Sequence, residues 1–199
     1  MPHFTSDWFS NNALVNFDYI TNYINKEKQI NSILEIGSHE GRSACWMLEN
    51  MLSDTGTMTC IDPFADRPVT AFAEDSIPED RTIENRFRAN IAEVKGADQT
   101  VNVMVDLSFP ALAQLIVDKQ QYDFIYVDGT HHADEVLADA VMCFGMLRSG
   151  GVMLFDDYLW EDDPRHLGRC KASIDAFVNM FYDRLKLGLV NYQLAIVKK

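Results

Sequence analysis

The chain has 199 residues, 17 basic and 30 acidic side chains, a formal net charge of −13 and 47% apolar content. That is the profile of one acidic α/β-sized domain, 1–199, with enough length for a sizeable core. The negative balance repels phosphate backbones and anionic lipid, and no run of Lys or Arg offsets it, so nucleic acid and membrane are excluded as partners. No apolar run is long enough to span a bilayer and the N-terminus lacks the regions of a signal peptide, so the expected location is cytoplasmic. Cys45, Cys60, Cys143 and Cys170 are widely spaced with no C-x-x-C pair, which reads as reduced core thiols.

In chain order, an N-terminal stretch (1–29) holds Trp8 and Phe9 and then an amphipathic helix with Leu14, Phe17, Ile20 and Ile24 on one face. Short β-branched runs follow at 32–36 (SILEI), 57–61 (TMTCI), 100–105 (TVNVMV), 122–127 (YDFIYV) and 152–155 (VMLF). Helical periods separate them: from Gly41 with Ala44, Met47, Leu48, Met51 and Leu52 on one face, then 110–119, 133–147 and 171–185. The closing runs KLGLV (186–190) and YQLAIVKK (192–199) read as an antiparallel hairpin. The alternation predicts a Rossmann-like α/β fold, a mostly parallel seven-stranded sheet with helices on both faces. Two stretches break the pattern, 1–29 as a helical cap and 63–90 as a lid insertion, and both are candidates for substrate recognition.

The first strand runs into Gly37-Ser38-His39-Glu40-Gly41-Arg42-Ser43, a glycine turn opening a helix. Such a turn lets a ligand approach the backbone and offers it free N–H groups. The spacing is G-x-x-x-G and not the dinucleotide G-x-G-x-x-G, which disfavours nicotinamide and flavin dinucleotides. The second strand ends at Asp62, where a carboxylate beside the turn can accept bonds from both hydroxyls of a ribose. Turn and acid together predict a nucleoside site.

Further on, Asp128 and the pair Asp156-Asp157 leave the carboxyl ends of two predicted strands and should share one crevice. Three carboxylates that close repel unless protonated or neutralised, and an all-oxygen set suits Mg²⁺ or a similar divalent cation. Asp128, Asp156 and Asp157 are therefore the expected metal ligands. The alternative is that Asp156 and Asp157 only cap a turn, and that Glu161, Asp162 and Asp163 form a solvated acidic loop. His131, three residues past Asp128, is placed to take a proton, with His132 the weaker candidate.

These motifs resemble the class I S-adenosylmethionine-dependent methyltransferases, and among them the metal-dependent O-methyltransferases of the catechol and caffeoyl-coenzyme A type. LEIGSHEGRSA resembles that family's first motif, and YVDGTHH and DDYLW resemble a bacterial branch related to macrolide and aminocoumarin sugar O-methyltransferases. The resemblance runs from about Ile30 to the C-terminus. It implies that Glu35, Gly37, His39 and Ser43 surround the methionine part of S-adenosylmethionine, that Ser38, Gly41, Arg42 and Asp128 also belong to the cofactor site, that Asp62 binds its ribose, and that Ser108 contacts its adenine. It also implies a Mg²⁺-assisted methylation of a hydroxylated small molecule such as a sugar or polyketide, with His131 or Asp128 as base. His131 stands where the catechol enzyme has a lysine, and Asp157 where it has an asparagine. A homodimer or higher homo-oligomer is an expectation of the same kind. The competing functions are a domain that binds the cofactor without transferring methyl, and a metal-dependent hydroxylase using His131, His132 and Asp128. Adjacent histidines at a helix start point about 100° apart, which makes joint ligation awkward. The aromatic residues Trp8, Phe9, Phe64, Phe72 and Trp160 could line an acceptor pocket, and Arg165, His166 and Arg169 could meet an anionic acceptor group.

Overall fold

The computed structural model describes residues 1–11, 13–27, 29–65, 80–160 and 170–199, with the side chains of 24–27 left aside. The elements follow the order α1 (Leu14–Glu27), β1 (Ile30–Ile36), α2 (Arg42–Asn50), β2 (Leu52–Ile61), α3 (Thr82–Val94), β3 (Thr100–Met104) and α4 (Ser108–Val117). They continue with β4 (Tyr122–Val127), α5 (Ala133–Met146), β5 (Leu147–Phe155), α6 (Cys170–Phe181), β6 (Leu185–Val190) and β7 (Leu194–Lys198). The sheet order is β3-β2-β1-β4-β5-β7-β6, parallel through β5 and antiparallel in the β6/β7 hairpin. No helix of the described residues is long and apolar enough to cross a membrane.

Period-two alternation assigns the strand side chains to two cores. Leu34, Ile36, Ile125, Val127, Met153 and Phe155 pack against α4, α5 and α6. Ile33, Cys60, Phe124, Tyr126, Val152 and Leu154 face α1, α2 and α3. All six residues of β4 are buried, which is why it reads as a near-continuous apolar run, broken only by Asp123, and not as an alternating one. The four cysteines are buried and unpaired.

Of the boundaries that differ from expectation, three shift by four residues or more or change the element a residue belongs to. The helical face expected to include Leu52 ends at Asn50, because Leu52 pairs with Ile30 and the chain then bulges until Thr57 meets Ser32. β5 starts at Leu147 rather than Val152, with a similar bulge over Gly150 and Gly151. The last helix stops at Phe181, and a 3₁₀ turn (Tyr182–Arg184) leads into β6.

The two irregular stretches behave differently. In 63–90, the part from Thr82 onward is a helix with Phe87 buried, and residues 66–79, with Phe72, lie outside the described residues. In the N-terminal stretch, Phe9, Phe17 and Ile20 are buried in the core on the α2 and α3 side of the sheet. Phe17 is fully buried, edge-on to Tyr126 at 5.0 Å and to Trp46 at 5.4 Å, and it also meets Phe9 at 4.9 Å. Such a ring is worth roughly 3–5 kcal/mol against alanine. Phe17→Ala should lower unfolding free energy in urea by about that amount; a change under about 1 kcal/mol would show that α1 is not part of the core.

Candidate active site

Parallel strands end together, so the loops after β1, β2, β3, β4 and β5 converge at one edge of the sheet. A cleft of about 1010 Å³ opens there. The register carries the strand ends on into the loops: Asp128 N donates to Ile36 O at 2.9 Å and Asp156 N to Val127 O at 3.0 Å.

At the β1 end the glycine turn is built as the G-x-x-x-G spacing requires. Gly37 and Gly41 take φ of +85° and +83°, a region costly for other residues. A Cβ on Gly37 would stand 1.8 Å from the Asp128 carbonyl oxygen, so the turn can lie against the β4 loop only with glycine there. His39 is also left-handed, at φ 44°, and its N–H donates to Asp62 Oδ2 at 2.7 Å. Asp62 Oδ1 accepts from Phe64 N at 2.5 Å. Burial pushes Asp62 up, and these backbone donors oppose that shift. Each of its oxygens keeps a further lone pair for a ligand hydroxyl.

Several turn residues expected to meet a cofactor are committed elsewhere. Glu35 is fully buried beneath the turn and does not line the cleft; its carboxyl accepts from the Ser38 and Ser43 hydroxyls. Ser38 and Ser43 do line the cleft, but their hydroxyl protons point inward to Glu35. Arg42 reaches back to Asp7 and Ser10, each at 2.8 Å, and lies over the Phe4 ring. Glu40 accepts from Thr5 N at 2.6 Å, from Thr5 Oγ1 and from Arg86. These bonds tie the first eleven residues across the cleft, where Phe4, Ser6, Asp7, Trp8, Phe9 and Asn11 form part of its wall. Nothing local in the sequence pairs Glu40 with Thr5 or Arg42 with Asp7.

At the β4 and β5 end the expected acids meet, in a different grouping. The atoms of Asp128, His131 and Asp157 that could hold a metal lie within 4.8 Å of one another. His131 Nε2 is 2.9 Å from Asp157 Oδ2, and Asp157 adopts φ 53°. Asp156 lines the cleft but falls outside that group, and its carboxylate accepts from the Tyr126 hydroxyl and from Asp157 N. His132 stands at the α5 N-terminus with its N–H on Thr130 Oγ1, and only one histidine joins the group, so the two-histidine triad of a hydroxylase is not assembled among the described residues. The Tyr126 hydroxyl also lies 3.1 Å from Asp128 Oδ2, and the Tyr192 hydroxyl donates to Asp157 at 2.6 Å. Neither tyrosine was foreseen: Tyr126 reads as strand core, and Tyr192 comes from the β6/β7 turn.

Burial, with Asp156 and Asp157 nearby, pushes the Asp128 carboxyl well above the usual carboxylate range. Burial also raises Asp157, but hydrogen bonds from His131 and Tyr192 outweigh it and hold that group below its usual value. Ser108 lines the cleft beyond the end of β3. Trp160 packs on the His131 ring at 4.4 Å, and Trp8 on His39 at 5.3 Å. The acidic loop 161–163 and Arg165, His166 and Arg169 lie outside the described residues.

Burial pushes Glu35 up to about 7 from an ordinary 4.5, against the pull of its two serine donors. The unfolded chain then loses this proton first, so folding stability falls as pH rises from about 4.5 to about 7, by roughly 3 kcal/mol in all. Glu35→Gln should flatten the pH profile of the unfolding midpoint in that window, and parallel profiles for the two proteins would refute the assignment.

A family model described as a methyltransferase domain matches residues 34–158. A curated relative, "Uncharacterized protein R132" of Acanthamoeba polyphaga mimivirus, is 26% identical over 147 residues, 72% of this chain. The chain spans 59% of that relative's length. Among solved structures, an O-methyltransferase from Bacillus cereus in complex with S-adenosylhomocysteine aligns with TM-score 0.64 and 18% identity over 94% of this chain and 82% of its own. TomG from Streptomyces achromogenes, an O-methyltransferase of tomaymycin synthesis solved with S-adenosylmethionine, aligns at 0.63 and 18% over 92% and 80%. The Podospora anserina methyltransferase PaMTH1, solved with S-adenosylhomocysteine, aligns at 0.62 and 16% over 93% and 78%. At such identities these three likenesses speak for the fold, the Rossmann-like one of class I methyltransferases. The matched stretch runs from β1 through the β5 loop and contains both the glycine turn and the acidic end of the cleft: the chain belongs to the methyltransferase domain family.

Proposed function

We propose that the protein is an S-adenosylmethionine-dependent methyltransferase that methylates a hydroxyl oxygen of a small molecule such as a sugar or polyketide, with a divalent cation of the Mg²⁺ kind at the acidic end. One observation carries this reading: the glycine turn with Asp62, and the group of Asp128, His131 and Asp157, line the same cleft side by side. S-Adenosylmethionine supplies an electrophilic methyl group on a sulfonium. The chain's part is to hold donor and acceptor in line at short range. The backbone of the turn permits close approach, Asp62 accepts from ribose hydroxyls, and the N-terminal segment narrows the access of water.

The donor set fits a cation. Two carboxylates and an imidazole converge within 4.8 Å of one another. A divalent ion held by Asp128, His131 and Asp157 would lower the pKa of a ligated hydroxyl. The His131–Asp157 contact supports a second reading of the same chemistry. In it, Asp157 orients the ring and stabilises the imidazolium formed when His131 takes the acceptor's proton.

Calorimetric titration with S-adenosylmethionine and S-adenosylhomocysteine tests the cofactor; micromolar binding is expected, and its absence would overturn the reading. Asp62→Ala should weaken S-adenosylhomocysteine about tenfold or more, and unchanged affinity would remove Asp62 from the ribose. With an acceptor found by screening, EDTA should abolish turnover and Mg²⁺ restore it. Turnover that survives EDTA but falls in His131→Ala would select the metal-free histidine instead.

A further inference from the structure

The β6/β7 turn brings Tyr192 to the acids, and a side chain outside the cleft lining fixes that turn. Asn16 lies on α1 and is 4% exposed. Its amide donates to Asn191 Oδ1 and to Gln193 Oε1, each at 2.9 Å, and accepts from Asn191 Nδ2 at 2.7 Å. Asn191 Oδ1 also accepts from Gln193 N at 2.9 Å. One buried residue thus grips both chain neighbours of Tyr192. Burying an amide costs free energy unless its polar atoms are bonded, and an apolar residue on α1 would cover the fully buried Gln193 more cheaply. An amide does what an apolar side chain cannot: it offers donors and an acceptor in one plane, so it fixes the direction of the groups it meets.

From the gripped turn two contacts run to the loop after β5. Tyr192 O accepts from Leu159 N at 3.2 Å, and the Tyr192 hydroxyl donates to Asp157 Oδ1 at 2.6 Å. Asp157 holds φ 53°, a left-handed backbone that is strained for a residue other than glycine. With Oδ1 on Tyr192, Oδ2 stands 2.9 Å from His131 Nε2. We infer that Asn16 is a positioning residue: through Asn191 and Gln193 it sets the Tyr192 hydroxyl, and through that hydroxyl it turns the Asp157 carboxylate to His131. Helix α1 then belongs to the scaffold of the acidic group as well as to the core. This rests on the reading of Asp128, His131 and Asp157 as the reacting group.

The test reads His131 directly on the full chain. In protein carrying isotope-labelled histidine, with His131→Ala to identify the signal, the ring nitrogens are followed by nuclear magnetic resonance at one fixed pH. Tyr192→Phe, which keeps the ring and removes the hydroxyl, should shift the His131 Nε2 resonance. Asn16→Ala and Asn191→Ala should each shift it in the same direction. Asn191 is exposed, so its variant breaks the same grip if Asn16→Ala does not fold. The double variant Asn191→Ala/Tyr192→Phe should match Tyr192→Phe alone, since both act through one hydroxyl. Ile20→Ala removes a buried side chain one turn further along α1, and it should lower the melting temperature without moving the signal. Calorimetric titration with Mn²⁺ gives a second readout: Tyr192→Phe should bind it about tenfold more weakly than the wild type, and Asn191→Ala should change in the same direction. An unmoved His131 signal in the Asn16 and Asn191 variants, or an equal shift in Ile20→Ala, would overturn the inference. A wild type that binds no Mn²⁺ would instead defeat the metal in the proposed function, and the His131 signal would still decide the positioning role.

Discussion

Gly37 passes so near the Asp128 carbonyl that no side chain fits between the end of β1 and the loop after β4. This approach brings the turn and the acidic group to one cleft, and the rest of the site is arranged around it. The turn is held from below by Glu35 through Ser38 and Ser43, and from the side by Asp62 through the His39 N–H. Both anchors are buried acids. They keep Gly37, His39 and Gly41 in left-handed conformations that a loop in water would leave. A preformed turn lowers the entropy lost when a ligand binds.

Charge is distributed unevenly along the cleft. Asp62 spends its oxygens on backbone N–H groups, and Asp157 spends its own on His131 and Tyr192. Asp128 has the Tyr126 hydroxyl and two acidic neighbours. The cluster is therefore graded. One acid is stabilised as an anion while its neighbour is pushed towards holding a proton, and such a pairing suits a site where a cation or a proton arrives with the substrate. Tyr126 links Asp128 to Asp156, so the acid outside the metal-capable group still governs the field within it.

The N-terminal segment changes the meaning of the first motif. His39, Glu40 and Arg42 look in sequence like three ligand contacts. In the folded chain Arg42 and Glu40 grip residues 5, 7 and 10, and His39 supports Trp8. The motif's side chains thus build the wall of the cleft, and its backbone lies along the cleft floor. Glu40 is well paired with Arg86 and Thr5, so its burial brings no orphaned charge.

Much of this was legible in the sequence because it is local. Strand and helix periods, the glycines that a left-handed turn demands, and acids at the ends of apolar runs follow from φ/ψ sterics and from the placement of loops at strand ends, and the seven strands fall where these rules put them. Bulges were not legible, since Leu52 and Leu147 join strands only through partners far along the chain. What only the tertiary structure decided is which oxygen faces which donor. That Asp157 rather than Asp156 joins His131, that Glu35 lies under the turn, and that Tyr192 reaches the acids all depend on contacts between distant segments. A side chain's reach is a few ångströms and its direction is set by its own backbone and its neighbours, so residue type and spacing locate the chemistry while packing alone assigns the partners.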